Sequence, residues 1–393
     1  MNSDSKENLK KIKVGDIGEV ITGNTPPRKN DDFFGNAYPW IKPTDIDIGY
    51  RYVEGPDEYY SELAYKKYKK ALLQPLSTCV VTIGTVGEKL CLTTDYSFTN
   101  QSINAIIPDE KNFDKQFVYY LMKYNLPKVS KANPGTASGR HHVSKSNFCN
   151  IEVEVPPKED QERIASILSA FDDLIENNTR RIEILEEMAR RIYREWFVHF
   201  HYPGHENDEL VDSGTELGEI PEGWEVKKLS DVAKINPENI STDYEGQIEY
   251  INISGVNEGS IDETEIHDFE DAPSRAKRKV DHGDIIWSSV RPNLKSYALV
   301  LNPPPNQIAS TGFGVIRPKK LPSSFIYNFS TTEYFVQYLV NHTRGSAYPA
   351  VNVSDFKNAP ILVPDKKLID KFHQVTWPNF LQIDKLSRKN KKL

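Results

Sequence analysis

The chain is 393 residues long, 38% hydrophobic and 27% charged, with a formal net charge of −7. That length has room for two or three domains, the balance suits a soluble globular protein, and no apolar run nears the roughly 18 residues of a membrane span. The acidic net charge does not advertise nucleic-acid binding, although such binding follows local clusters rather than the total.

The N-terminal "MNSDSKENLKK" lacks the apolar core of a signal peptide, so a cytoplasmic protein is expected. "KVGDIG" (Lys13 to Gly18) opens a mixed region. "TCVVTIG" and "IEVEVPP" are β-branched, bounded by Gly or Pro, and predict strands. Between them "FDKQFVYYLMKYNL" has apolar residues at helical spacing. Cys79, Cys91 and Cys149 fit no metal or redox spacing and read as buried thiols. From Lys158 to about Phe200 there is neither Gly nor Pro. Ile164, Leu168, Phe171, Ile175, Asn178, Ile182, Leu185, Ala189, Ile192 and Trp196 follow alternating steps of four and three, a heptad seam that predicts one long helix. At about 1.5 Å per residue it is roughly 55–60 Å long.

The second half repeats the first. "KLSDVA" (Lys228 to Ala233) echoes "KVGDIG", "VIRP" ending at Pro318 echoes "AIIP" ending at Pro108, and "FIY" at Phe325 echoes "FVY" at Phe117. The clearest match joins "SKSNFCNIEVEVPP" (Ser144 to Pro157) to "VSDFKNAPILVPD" (Val353 to Asp365). There Ser146, Phe148, Asn150, Val155 and Pro156 align without a gap with Ser354, Phe356, Asn358, Val363 and Pro364. This is a two-copy duplication of a domain-sized unit, not a solenoid of short repeats. In the second copy "GDIIWSS" and "YALVLN" predict strands, and "SSFIYNFSTTEYFVQYLVNH" predicts one helix.

The tail supplies a second helix. Ile383, Asp384, Leu386 and Asn390 match Phe171, Asp172, Leu174 and Asn178 at one offset, while Phe372 matches Ile164 at an offset four residues smaller. That is a stutter around Trp377-Pro378, where the proline is expected to kink or break the helix. Asn178 and Asn390 become equivalent polar positions on an apolar seam, a device that fixes register; a surface-facing Asn178 is the competing reading. The fold class expected is α+β: two duplicated mixed α/β domains separated by two long helices packed as an antiparallel coiled coil. The predicted boundaries are 1–157, a spacer helix 158–202, a connecting loop 203–222, a second domain 223–364 and a shorter helix 365–393.

These residues carry a resemblance. The pattern S-x-F-x-N … V-P, then P-x-x-x-Q-x-R-I … L … F-D-x-L-I (Pro157, Gln161, Arg163, Ile164, Leu168, Phe171 to Ile175), resembles the specificity subunits of type I restriction-modification systems. "YPWIKPTDI" in the first copy and "GSAYPAVNVSDF" in the second are similar to the same family. The resemblance spans nearly the whole chain. It implies a non-catalytic subunit in which each recognition domain reads one half of a bipartite double-stranded DNA target. The helical rod sets the gap and docks two methyltransferase subunits, and ATP-driven restriction subunits join. S-adenosylmethionine, ATP and Mg are expected in those partners, with no cofactor in this chain. Family members usually continue the second helix further, whereas this chain ends at Leu393. The seam near Ile182 to Trp196 is therefore expected to lack an intramolecular partner, to be covered by methyltransferase subunits or left by a truncated gene. "YREWFVHF" (Tyr193 to Phe200) is too aromatic for water and is expected against a target domain or a methyltransferase subunit.

Candidate DNA contacts follow from donor chemistry on loops. In the first copy "PGTASGRHHVSKSN" offers Ser138, Arg140, His141, His142 and Lys145, and the turn "IGTVGEK" offers Thr85 and Lys89; Lys42 and Arg28 are single basic residues. In the second copy "TRGSAYPAVNVSD" offers Arg344, Tyr348 and Asn352, "SRAKRKV" offers Arg275, Lys277 and Arg278, and "WSSVRPNLKS" offers Ser288, Ser289, Arg291 and Lys295. An ordinary solvated loop is the bland alternative for each.

The rival functions are a coiled-coil scaffold that binds only protein and a fused DNA methyltransferase or nuclease. "NPPPN" (Asn302 to Asn306) imitates an amino-methyltransferase motif, but Pro305 stands where an aromatic must stack on a flipped base, and no Gly-rich cofactor turn follows a strand. "IGTVGEK" is too short for a phosphate loop, and His141-His142 has no zinc-site context.

Overall fold

The computed structural model describes residues 9–53, 55–133, 141–345 and 348–393. The chain forms two compact units, the first ending at Asn177 and the second beginning at Asn178. Each carries one copy of the duplication.

The first unit is built on two four-stranded sheets. One runs in the order Gly18–Thr22, Ile103–Pro108, Thr78–Val81, Leu90–Leu92, antiparallel throughout. The helix Lys115–Lys131 covers it, capped by Asp114, whose carboxylate accepts the Phe117 N–H at 2.7 Å. Phe117, Val118, Leu121, Met122 and Val129 recur at helical spacing and enter a core with Val80, Ile106 and Phe148. The other sheet runs Phe34–Gly35, Tyr59–Tyr60, Tyr38–Ile41, Phe98–Thr99, and its last pair is parallel. Its core is aromatic: Trp40 stacks on Tyr60 at 5.4 Å, and Phe98 lies 4.8 Å from Tyr60. Cys79 and Cys91 face each other as buried free thiols on neighbouring strands.

The second unit repeats this order. Ala233–Ile235, Phe313–Pro318, Ile285–Ser288 and Tyr297–Leu299 follow each other as the first sheet does, with Val256–Ile261 added at the edge. Glu265–Asp268, Gln247–Ile251, Gln307–Ser310 and Ala276–Lys279 form the second sheet, and its middle pair is again parallel. The expected single helix over Ser323 to His342 is two, Ser323–Ser330 and Glu333–Asn341. Three consecutive hydroxyls break it: Ser330, Thr331 and Thr332 donate to the carbonyls of Tyr327, Asn328 and Phe329 at 2.7–2.9 Å, competing with the backbone ladder. Thr332 then caps the second helix by accepting the Phe335 N–H at 3.3 Å.

The repeated motif is a hand-over from unit to helix. It folds as a short helix, Lys145–Cys149 or Val353–Asn358, then a strand, Glu152–Val155 or Pro360–Val363. That strand pairs antiparallel with the first strand of its own unit, Lys10–Lys13 or Glu225–Lys228. In both copies a lysine ends the first strand, and its N–H donates to an aspartate three residues on: Lys13 to Asp16 at 2.9 Å, Lys228 to Asp231 at 3.1 Å. The shared phenylalanines, Phe148 and Phe356, are buried. Between the units the predicted connecting loop contains a hairpin, Leu210–Asp212 with Glu219–Pro221.

The long helix runs Lys158–Phe197. Within the first unit it buries Gln161 and Ala165 against the globule, while the seam residues Ile164, Leu168 and Phe171 are 37%, 38% and 46% exposed. One helix presents two faces: the globule takes the 161/165 face, so the heptad face points elsewhere. Ile175, Ile182, Leu185, Ile192 and Trp196 are half-buried and Asn178 is buried. Within the second unit, residues from Asn178 onward pack antiparallel against the C-terminal helix Lys366–Asn390. Trp196 and Phe197 lie 6.1 and 5.2 Å from Phe372 at one end, and Asn178 meets Asn390 at the other. Phe372 and Leu386 are buried and Ile383 packs on the same core. The expectation that Ile182 to Trp196 lacks an intramolecular partner is thus corrected, since Ile192, Tyr193, Trp196 and Phe197 join the core with Trp224 and Phe325. Pro378 does not end the C-terminal helix, which runs through it. No described helix is long and apolar enough to cross a membrane.

Candidate nucleic-acid interface

In each copy a turn that follows a central strand is laced to the loop that precedes the hand-over motif. In the first copy the Val143 N–H donates to the Thr82 carbonyl at 2.8 Å and the Gly84 N–H donates to the His141 carbonyl at 3.1 Å, with Ile83 bridged to His142. In the second, the Val351 N–H donates to Ser289 O at 2.9 Å and the Arg291 N–H to Pro349 O at 2.7 Å, with Val290 bridged to Ala350. The backbone ladder is the same; the side chains it presents are not.

The first edge presents exposed Thr85, His141 and His142. Gly84 and Gly87 turn the chain at positive φ, and a Cβ on Gly87 would sit 2.7 Å from the Ser130 Cβ, so the turn lies tight on the Lys115–Lys131 helix. Asn133 braces the histidines: its Nδ2 lies 2.6 Å from His141 Nδ1 and its Oδ1 accepts the His142 N–H at 3.3 Å. Lys89 closes the other end of the turn by donating to the Pro43 carbonyl at 3.2 Å. Lys145 is exposed, as the first residue of a helix rather than part of a loop. Ser138 and Arg140 lie outside the described residues.

Lys42 and Arg28 are engaged elsewhere. Lys42 Nζ donates to Glu58 at 2.8 Å and its side chain is 16% exposed, while Arg28 forks onto the same carboxylate. The Arg28 hydrogen bond above all, and then Lys42, hold Glu58 down at about 2. This is an ion-pair cluster, so neither cation is presented as a free phosphate donor.

The second edge is cationic. Arg291, at φ +48, holds its guanidinium 4.8 Å from the Tyr348 ring centroid, and Tyr348 is 70% exposed. Lys295 is half-buried with Glu333 at 3.9 Å. Ser289 donates to the Gly312 carbonyl at 2.7 Å. Ser288 is corrected: it is buried and its hydroxyl donates to Val290 O at 2.8 Å, bracing the turn from inside. Arg344 is held by Asp355 at 3.2 Å, and Asn352 starts a helix, its N–H donating to Asp355 at 2.7 Å. Both organise the loop.

The basic run lies alongside. Ala276–Lys279 is the outer strand of its sheet, with Arg275 and Lys277 exposed; Arg278 is half-buried, donates to Asn239 at 2.9 Å, and has its guanidinium pulled below the usual range by burial. The Thr311 N–H donates to Arg275 O at 2.8 Å, and its neighbour Gly312 accepts the Ser289 N–H at 2.8 Å, so run and turn are adjacent. The same position in the first copy is Ser102, which accepts the Thr82 N–H at 2.8 Å. Beside it stand exposed Gln101 and Thr25, hydrogen-bonded to each other. Sequence reading missed them because neither is charged. The signal was a polar turn, "TNQS", between two strands at a place where the second copy has "STG".

Among the described residues no cluster of His, Cys, Asp or Glu has the arrangement of a metal site. Asn302 of the methyltransferase-like motif donates its amide to Asp384 on the C-terminal helix at 2.8 Å, a structural tie.

The model of the type I restriction modification DNA specificity domain matches residues 6–187 and again residues 221–382. The chain is 28% identical over 382 residues to the MjaIX type I restriction enzyme specificity subunit of Methanocaldococcus jannaschii, covering 95% of this chain and 87% of that protein. It is 24% identical to the MjaVIII specificity subunit of the same organism over 98% of this chain and 91% of that one. Among solved structures, the S subunit of a type I restriction-modification system from M. genitalium aligns over 100% of this chain and 94% of that one, with a TM-score of 0.64 at 14% identity, a likeness of fold.

Proposed function

The chain belongs to the type I restriction-modification DNA specificity family, and from that premise we propose that it reads a split target in double-stranded DNA, one half through each contact edge. It supplies specificity and not catalysis. The observation that carries this reading is the common ladder under unlike side chains: Thr85, His141 and His142 on one edge, Arg291 and Tyr348 on the other. A shared frame with different donors is what reading two different half-sites requires. Arg291 suits guanine by its bidentate fork, and Arg275, Lys277 and Lys145 suit phosphates. Ser289, Lys295 and Lys89 border the edges, and Ser138 and Arg140 belong to the same first-copy loop by sequence.

The two helices set the gap and dock two methyltransferase subunits, which supply S-adenosylmethionine chemistry; restriction subunits with ATP and Mg join them in the cytoplasm. The exposed seam at Ile164, Leu168 and Phe171 supports a docking role for the long helix. The domain limits proposed remain 1–157 and 223–364, flanked by the segments 158–202 and 365–393 that contain the helices Lys158–Phe197 and Lys366–Asn390.

The test is to co-express the chain with the neighbouring methyltransferase gene and map DNA methylation by long-read sequencing. A single split motif is expected, and exchange of residues 223–364 for those of a relative should change one half only. An unchanged motif would sink the reading and favour a scaffold that binds only protein. Four residues added near Asn178, matched in the C-terminal helix, lengthen the helices by about 6 Å, and the gap should grow with both half-sites unchanged.

A further inference from the structure

An ionic cluster around one buried arginine lies where the first globule meets the long helix, and no step of DNA reading uses it. Arg51, from the loop between Tyr38–Ile41 and Tyr59–Tyr60, is 3% exposed. Its Nε donates to Glu176 Oε1 at 2.9 Å and its Nη2 to Glu176 Oε2 at 2.8 Å, and Nη2 also reaches Asp173. The Arg51 backbone N–H donates to Glu176 Oε1 at 3.0 Å. Asp172 completes the group: it lies 3.9 Å from Arg51 Nε, accepts the Tyr120 hydroxyl at 2.8 Å, and has Lys123 at 3.9 Å. Burial opposes the Arg51 charge, yet the Glu176 and Asp173 hydrogen bonds hold the guanidinium above its ordinary range.

The other side of Arg51 leads to the contact edge. Its carbonyl accepts the Leu92 N–H at 2.7 Å, and Tyr52 is bridged to Leu92. Leu90–Leu92 is the strand that leaves the Ile83 to Lys89 turn, and that turn carries Thr85 and is laced to His141. One residue therefore joins a single turn of the long helix to the strand that holds the edge. The remaining helix-to-globule contact includes Ala165, which packs in the apolar core and gives little directional restraint, because apolar contact is non-directional. Gln161 adds amide ties at the start of the helix, accepting the Asp114 N–H at 3.1 Å and donating to the Asn112 and Pro156 carbonyls at 3.4 and 3.0 Å. A guanidinium fork on a carboxylate is directional: it defines rotation as well as distance.

We propose that Arg51 is a positioning residue that fixes the rotation of the first contact edge about the long helix, and through it the gap between half-sites that the complex accepts. The inference rests on the function proposed above. It adds that gap choice depends on this clamp as well as on helix length.

The experiment uses the full chain with its methyltransferase partner on duplexes carrying both half-sites at gaps varied by single base pairs. The readout is the relative methylation rate at each gap. The unaltered complex should favour one gap strongly. Arg51→Met should raise the rate at neighbouring gaps relative to the favoured one by roughly tenfold, with the bases of both half-sites unchanged. Arg51→Lys, which keeps the charge and loses the fork, should fall between. Glu176→Gln keeps the shape of the acceptor and leaves Asp173 in place, so it carries the test if Arg51→Met does not fold. A purely structural role would lower all rates and the melting temperature together and leave the gap profile alone; that result in Arg51→Met and Glu176→Gln overturns the inference and leaves the function standing. An unaltered complex with no split motif overturns both.

Discussion

Asn178 donates its side-chain amide to Oδ1 of Asn390 at 2.8 Å, joining the long helix to the C-terminal helix within the second unit. Asn178 is buried, and the Asn390 amide donates in turn to Thr179 Oγ1 at 3.2 Å. An amide pair on an apolar seam, with Asn178 buried and Asn390 half-buried, stabilises one register because a slip leaves the buried amide without its partner.

Asn178→Ala should therefore destabilise the second unit by about 1–3 kcal/mol, the cost of stranding a buried polar partner. Asn178→Leu combined with Asn390→Leu should be near neutral or stabilising, because both polar groups go together. Urea denaturation of the matched single and double variants checks this; a loss in the double variant equal to the sum of the two single losses would show that the pair is not coupled.

The two contact edges should behave independently. Arg291→Ala should cost about 1–3 kcal/mol and relax base preference in one half-site only. His141→Ala and His142→Ala should relax the other half. Lys277→Ala should weaken binding to all sequences alike and lower the salt slope by about one. Binding titrations over a salt series on duplexes altered one half at a time provide the readout, and loss of both half-sites from a single edge variant would contradict the division of labour.

The Glu58 cluster sets an acid limit on the first unit. The Arg28 hydrogen bond, with help from Lys42, lowers the Glu58 carboxylate from the ordinary 4.5 to about 2. A depressed carboxylate contributes stability that is fully present above its unfolded value and is lost as pH falls through its folded value. The contribution should thus be complete above about pH 4.5 and fade toward pH 2, and its exposed rim keeps it modest. Melting curves of the parent and Glu58→Gln should differ at neutral pH and converge below pH 4.5.

The repeated phenylalanines should be costly where they stand. Phe148→Ala and Phe356→Ala each remove a fully buried ring and should each cost about 3–5 kcal/mol. Amide hydrogen exchange should show the loosening confined to the variant's own unit: around Glu152–Val155 for Phe148, and around Pro360–Val363 for Phe356.

Some of this was legible in one dimension. The duplication appeared as matched words at nearly one offset, and the same words fold into the same short helix, strand and hand-over twice. The heptad steps announced the long helix, and the fixed offset between the helices marked Asn178 and Asn390 as equivalent polar positions on the seam. These are properties of period and order along the chain, and local geometry follows period directly.

Other features depended on what residues far apart in sequence do to one another. Lys42, Arg344 and Ser288 have the chemistry of DNA contacts, yet Glu58, Asp355 and the Val290 carbonyl engage them. Gln101 and Thr25 reach an edge because a strand turns there, and Arg51 meets Glu176 across 125 positions. The face of the long helix taken by the first globule was not legible either: Gln161 and Ala165 are buried against it, while the seam residue Ile164 is left exposed. The sequence by itself determined the duplication and the two long helices. Which side chains face outward was decided only by tertiary structure, because a donor's availability depends on the partner that folding brings beside it.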